Sequence, residues 1–263
     1  MLKISRGIEN WTPVNNPIVT VGSFDGVHLA HRSIIALLNH YAEMCRGESV
    51  LVTFSPHPRL ILPTKDEFRK NFRLLTTEEE KEYLLEKAGL KNILVVRFDE
   101  KFSALSSQNF IKKILVDTLQ VRHMVVGYNH NFGHDRHGSY EQMQEFGRLY
   151  DFEVDKYPEL LVQNEHVSSS CIRNFIREGR LSEANNLLGY EYFIHGNWHQ
   201  NIFEPNSKFK LLPALGHYLT RVKVKGIYHY AVCDINEEIC FPDLQFLEEG
   251  DAMKINFIRE INW

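Results

Sequence analysis

Thirteen consecutive residues carry the densest chemistry in the chain: Val19-Thr20-Val21-Gly22-Ser23-Phe24-Asp25-Gly26-Val27-His28-Leu29-Ala30-His31. A β-rich run empties into a glycine-punctuated loop and then into a stretch with helical spacing. Glycines at 22 and 26 let the backbone turn sharply and let a ligand approach closely. The helix start that follows presents N–H groups and a positive dipole end, an anion site. Imidazoles at i and i+3 fall on one face of the first turn. Together these residues suit a phosphate undergoing chemistry. The plainer reading is a glycine-rich β-to-α turn with two solvated histidines.

Three further stretches pair polar or aromatic side chains with stiff backbone. In Val52-Thr53-Phe54-Ser55-Pro56-His57-Pro58 two prolines flank a histidine, and each restricts its predecessor. On composition alone this is a rigid structural turn. Val125 to Gly138 holds Gly127, Asn129, His130, Phe132, His134 and His137. Asn129 offers both donor and acceptor to ligand oxygens, and Phe132 offers a stacking face; the plainer reading is a solvated linker. In His166-Val167-Ser168-Ser169-Ser170-Cys171-Ile172-Arg173 the consecutive hydroxyls read either as ordinary N-caps or, with Arg173 one turn on, as a clamp for oxyanions.

The elements that must position these residues follow from periodicity. Short apolar runs at Ile18–Val21, Val50–Phe54, Ile93–Val96, Met124–Val126 and Phe152–Val154 alternate with helical patterns at Ser33–Met44, Thr77–Ala88, Gln108–Leu119 and Tyr140–Tyr150. Alternating strands and helices imply βαβ units and a parallel sheet. Ligands of such sheets gather outside the carboxyl ends of the strands, and the motifs lie just after strand runs. Beyond Tyr190 the helical period stops. Short runs separated by Lys225-Gly226, Glu249-Gly250-Asp251 and Pro205, Pro213 and Pro242 take over, and Tyr218, Thr220, Val222 and Val224 alternate as in a half-buried antiparallel strand. The expected organisation is an α/β domain over 1–189 and a small antiparallel β-barrel-like domain over 190–263.

Composition excludes several classes. The 263 residues are 43% hydrophobic and 24% charged, enough for a sizeable core and against disorder. Net charge is −4 without a Lys/Arg-rich block, which argues against a nucleic-acid binder. No apolar run approaches a membrane span, and Met1-Leu2-Lys3-Ile4-Ser5-Arg6 lacks a signal-peptide core. Cys45, Cys171, Cys233 and Cys240 lack C-x-x-C spacing and read as free thiols of a cytoplasmic protein. Neither G-x-G-x-x-G nor G-x-x-x-x-G-K-[ST] occurs.

Taken as full strings, the motifs resemble a known family. Gly22 to His31 is similar to the G-x-F-D-G-x-H-x-G-H signature of nucleotidylyltransferases in the form found in bacterial FAD synthetases, with Ala30 in place of a glycine. The Thr53 to Pro58 run resembles that family's T-F-x-P-H-P element. The Val126 to Gly138 loop resembles V-G-x-[DN]-F-x-F-G-x-x-R-x-G, with His130 replacing the first aromatic. Val167 to Arg173 resembles I-S-S-T-x-I-R, with Ser170 for threonine. Phe98 to Leu105 and Gly179 to Gly189 agree as well.

The resemblance implies a Rossmann-like nucleotidylyltransferase domain that makes FAD and pyrophosphate from FMN and ATP, with magnesium accompanying ATP. It implies charge stabilisation by His28 and His31 and a phosphate grip by Arg173. Gly22, Ser23, Phe24, Asp25, Ser168, Ser169 and Ser170 would bind nucleotide, and Pro56, His57, Pro58, Asn129 and Phe132 would lie on the flavin side. The metal ligands are left unassigned, and a homo-oligomer is possible. Enzymes of the family usually carry a C-terminal riboflavin kinase domain with a P-T-A-N element. That element is absent here, although Lys210 to Tyr218 resembles a kinase strand and Ile194 to Gly196 its opening strand, so kinase activity is expected to be missing. The competing readings are a non-catalytic flavin or nucleotide sensor, and transfer to another phosphorylated acceptor such as phosphopantetheine or glycerol phosphate.

Overall fold

A computed structural model describes residues 1–62, 71–128, 140–236 and 238–261. Its contacts divide the chain into two compact units: Met1–Phe72 with Glu80–Leu160, and Arg73–Glu79 with Leu161–Trp263.

The first unit is built on six strands, β1 Lys3–Arg6, β2 Pro17–Val21, β3 Glu48–Ser55, β4 Asn92–Arg97, β5 His123–Val126 and β6 Glu153–Lys156. All pair in parallel, in the order β1-β4-β3-β2-β5-β6. Every residue of β2 and of β5 is buried, as expected of central parallel strands covered on both faces. Val19, Val50, Leu94 and Met124 of the sheet pack with Phe110, Ile111, Ile114 and Leu115. The helix Leu29–Met44 buries Ile34, Ile35, Leu38 and Ala42 at helical spacing. The single helix expected over Gln108–Leu119 is instead a short α-helix, Ser107–Phe110, running into a wider π-type segment, Ile111–Thr118.

Strand order decides where ligands go. From β2 the chain steps to β3 and β4 on one side, then returns to place β5 on the other side of β2. The reversal lies between β2 and β5. In open α/β sheets the crevice at such a switch point, outside the carboxyl ends of the strands, is the usual ligand site. The loop beginning at Gly22 leaves β2 there, and the one beginning at Gly127 leaves β5 there.

The second unit holds a two-strand ribbon, β7 Leu161–Val162 and β8 Glu165–His166, and then β9 Tyr192–His199, β10 Ile202–Pro205, β11 Gly216–Val224, β12 Ile227–Ile235, β13 Ile239–Cys240 and β14 Ala252–Ile261. The last six form an antiparallel sheet ordered β10-β9-β14-β11-β12-β13. Its edge strands β10 and β13 lie against each other, so the sheet is a nearly closed barrel. Tyr218, Thr220, Val222 and Val224 face the interior, as their alternation predicts.

The units do not divide at Gly189. The helices Ser169–Arg177 and Leu181–Leu188 group with the barrel because polar ties bind the second of them to it. Asn185 Nδ2 donates to the carbonyls of Phe257 and Ile258 at 2.8 and 3.1 Å, and its Oδ1 accepts from Tyr192 N–H at 2.7 Å. The Glu260 carboxylate accepts from the N–H groups of Leu181 and Ser182, capping that helix from β14.

Tyr218 supplies a solution test of the barrel. Its hydroxyl donates to the Ala214 carbonyl at 2.8 Å, and burial, aided by Glu260 and Cys233, pushes the phenol up to about 12. In the unfolded chain a tyrosine titrates at about 10. The neutral phenol therefore stabilises the fold fully below that pH, and the contribution is lost as pH rises through the folded value. The urea midpoint of the wild type is expected to fall faster between these two pH values than that of Tyr218→Phe. Parallel profiles would refute this.

Candidate functional site

The geometry at the switch point begins with β2. Gly22 N–H donates to the Val52 carbonyl at 3.0 Å, the last rung between β2 and β3. Thr53 Oγ1 donates to the Ser23 carbonyl at 3.3 Å and accepts from Lys81 Nζ at 3.4 Å, so the loop is tied to the helix Glu78–Lys87 through a buried threonine. The turn that follows places Phe24, Gly26 and Val27 in the left-handed region, with φ of 50°, 86° and 35°. Val27 N–H donates back to the Phe24 carbonyl at 3.1 Å. Asp25 is buried, as is His28.

His28 is the N-cap of the helix Leu29–Met44. Its Nδ1 accepts from His31 N–H at 3.4 Å, a role more often filled by Ser, Thr, Asp or Asn. An acceptor Nδ1 puts the proton of a neutral imidazole on Nε2, which makes that nitrogen a donor. The His31 ring stacks on His28 with centroids 3.6 Å apart and planes 14° apart, and on Phe24 at 4.3 Å and 18°. The first-turn N–H groups of Leu29 and Ala30 have no acceptor inside the helix and point the same way as its dipole. Two stacked imidazoles thus stand at a helix entrance, chemistry suited to negative charge.

The Pro56 to Pro58 turn leaves β3, and His57 caps the short helix Pro58–Ile61 by accepting from Arg59 N–H at 3.1 Å. The His57 ring lies 4.8 Å from that of Phe72, over which the Arg59 guanidinium also sits at 5.5 Å. Phe72 was invisible to motif reasoning because it belongs to no motif and meets His57 only through the fold. Phe54 at the end of β3 joins Phe98, Phe102 and Phe110 in an aromatic cluster, with centroids 5.7 to 6.4 Å from its own. Asn129, His130 and Phe132 lie outside the described residues.

In the second unit Ser168 caps the helix Ser169–Arg177, its Oγ accepting from Cys171 N–H at 3.2 Å. Ser169 is half-buried and Ser170 exposed. Arg173 is only 4% exposed. Its Nε donates to the Arg73 carbonyl and its Nη1 to the Ser169 carbonyl, each at 2.9 Å. Much of its fork is thus spent on backbone. Burial and the Glu165 carboxylate push the Cys171 thiol up, which disfavours the thiolate. Lys210, also missed by motif reasoning, is buried against the faces of Tyr192 and Phe193 and donates to the Leu75 carbonyl at 2.6 Å.

Among the described residues no group of three or more His, Cys, Asp or Glu is placed to hold a metal ion, and no helix is long and apolar enough to cross a membrane.

Comparison with known proteins adds the following. The family model for FAD synthetase matches residues 12–171. A bifunctional riboflavin kinase/FMN adenylyltransferase of Listeria monocytogenes is 34% identical over 96% of this chain and 82% of its own length. A protein of the same description from Escherichia coli K12 is 32% identical over 74% of this chain but 62% of its own, so the match leaves more than a third of that relative uncovered. An FAD synthetase of Listeria monocytogenes is 31% identical over 77% of this chain and 80% of its own. A crystal structure described as a macrolide-efflux protein from Streptococcus pneumoniae superposes with a TM-score of 0.88 over 99% of this chain and all of the other, at 21% identity, a likeness of fold alone.

Proposed function

We propose that this chain, which belongs to the FAD synthetase family, is an FMN adenylyltransferase making FAD and pyrophosphate from FMN and MgATP. The observation that carries the reading is the stacked His28–His31 pair at a helix entrance on the switch point of a parallel sheet. A terminal phosphate oxygen of FMN attacks the α-phosphorus of ATP in line. A new P–O bond forms as the bond to the β-phosphate oxygen breaks, and pyrophosphate departs with that electron pair. Such a step needs alignment and charge stabilisation rather than a covalent intermediate.

In this scheme Nε2–H of His28, the His31 ring and the first-turn N–H groups stabilise charge on the α-phosphate and the leaving group. Gly22, Ser23 and Asp25 shape the loop that the nucleotide meets. The family resemblance gives Ser168, Ser169 and Ser170 the nucleotide-binding role, and Arg173 holds its own helix entrance in shape through the Ser169 carbonyl. Pro56, His57 and Pro58, with Asn129 and Phe132, lie on the flavin side. Magnesium enters with its triphosphate, which supplies oxygen ligands.

Residues 190–263 are read as a reduced kinase-like domain without kinase activity, since the P-T-A-N element is missing. The test offers FMN and riboflavin separately with ATP and magnesium and resolves the products by fluorescence. FAD from FMN, and no FMN from riboflavin, is expected. No FAD would refute the adenylyl transfer, and FMN from riboflavin would refute the kinase claim.

A further inference from the structure

The geometry points to Phe24 as a positioning residue that holds the histidine pair in its working orientation; the kinetic arm of this inference rests on the adenylyl-transfer reading. Phe24 lies inside the motif, and its place suggests contact with nucleotide. Its side chain is turned inward instead, with only 4% of the residue exposed. The backbone adopts a φ of 50° to send it there. Gly22 leaves the space, since a Cβ at that position would lie 3.1 and 3.2 Å from Cδ2 and Cε2 of the Phe24 ring.

The consequence is a column of three nearly parallel rings in the order Phe24, His31, His28, with centroid spacings of 4.3 and 3.6 Å. His31 is held from both faces. His28, at the far end, is held by its own cap bond to His31 N–H. A ring packed on both faces keeps few of its rotamers, so its nitrogens point in a fixed direction. Donors to a transferring phosphoryl group have to be held within about 0.5 Å and 10–20° of the productive geometry. Phe24 meets that requirement without touching substrate. Gly22 likewise acts twice, once as the last rung between β2 and β3 and once by admitting the ring.

Phe24→Leu keeps the apolar filling and removes the flat face. Its kcat for FAD formation is expected to fall by about 10- to 100-fold, the cost of a misplaced catalytic group. KM for ATP and for FMN should stay within about threefold, because no ground-state contact is lost. Phe24→Tyr, which restores the ring, should bring kcat back to within about threefold of wild type. Phe24→Met serves the same purpose as the leucine variant should that one fail to fold. Independently of turnover, the ring-carbon protons of His31 in the substrate-free wild type should resonate upfield, shielded by two stacked rings, and move downfield in Phe24→Leu. A wild-type kcat in Phe24→Leu would overturn the inference, as would an unshifted His31 resonance. A wild type that makes no FAD would instead remove the adenylyl-transfer reading and leave the resonance test standing.

Discussion

His31→Ala is expected to slow FAD formation from FMN and MgATP by about 10²–10³-fold, the effect of deleting one pre-positioned donor to developing negative charge. The ring stands on the first turn of the helix Leu29–Met44, held between Phe24 and His28. Its loss should spare the fold for two reasons. The helix is anchored by Ile34, Ile35, Leu38 and Ala42, all further along. The cap also survives, because His28 Nδ1 accepts from the backbone N–H of residue 31, which alanine retains. His28→Ala is the informative contrast. It removes a donor and the cap together, so a stability loss of about 1 kcal/mol should accompany the slower turnover. Steady-state kinetics with circular-dichroism melting of both variants separates the two effects. Turnover of His31→Ala within a factor of three of wild type would sink the assignment of chemistry to this pair.

What was legible in the sequence was local. Runs such as Ile18–Val21 and Met124–Val126 are apolar but for Thr20 because both faces of a central parallel strand are covered, and β2 and β5 lie where those runs stand. The alternation of Tyr218 to Val224 likewise became a strand with one face inside the barrel. Strand order was not legible, since it is fixed by which backbones pair across the sheet, and the switch point between β2 and β5 emerges only from that order. Near Gly189 the contact units do not divide, for a related reason. Composition changes there, but Asn185 and Glu260 tie the preceding helix to β14 through side chains more than seventy residues apart.

Within the candidate site the histidines, glycines and serines were visible as types and spacings. The inward turn of Phe24, the Phe72 face against His57 and the burial of Arg173 depend on neighbours that no motif names. An arginine following three serines looks like an anion clamp on paper because guanidinium forks suit phosphates. Backbone carbonyls suit the same fork, and one of those it found lies a hundred residues upstream.

Arg173 therefore carries the second large prediction, and it concerns stability first. Nε reaches the Arg73 carbonyl and Nη1 the Ser169 carbonyl, so one planar group clasps the entrance of its own helix to the segment that opens at Arg73. That segment belongs to the barrel unit. Leu74 N–H donates to the Phe209 carbonyl at 2.7 Å, and Leu211 N–H to the Leu74 carbonyl at 2.8 Å. Arg173→Ala removes the two charge-assisted donors and a buried side chain that pack this entrance, so unfolding of this unit should become easier by about 1–3 kcal/mol. Arg173→Lys should lose less, because a single ammonium reaches one carbonyl but cannot fork to both. Trp198, buried in β9, reports on this unit, and its fluorescence through a urea titration measures the loss. A purely phosphate-binding arginine behaves differently: its lysine variant raises KM for ATP while the urea midpoint stays put. An unmoved midpoint in Arg173→Ala would return the residue to substrate binding. A large drop would establish that the serine-led helix entrance owes its shape to this clasp.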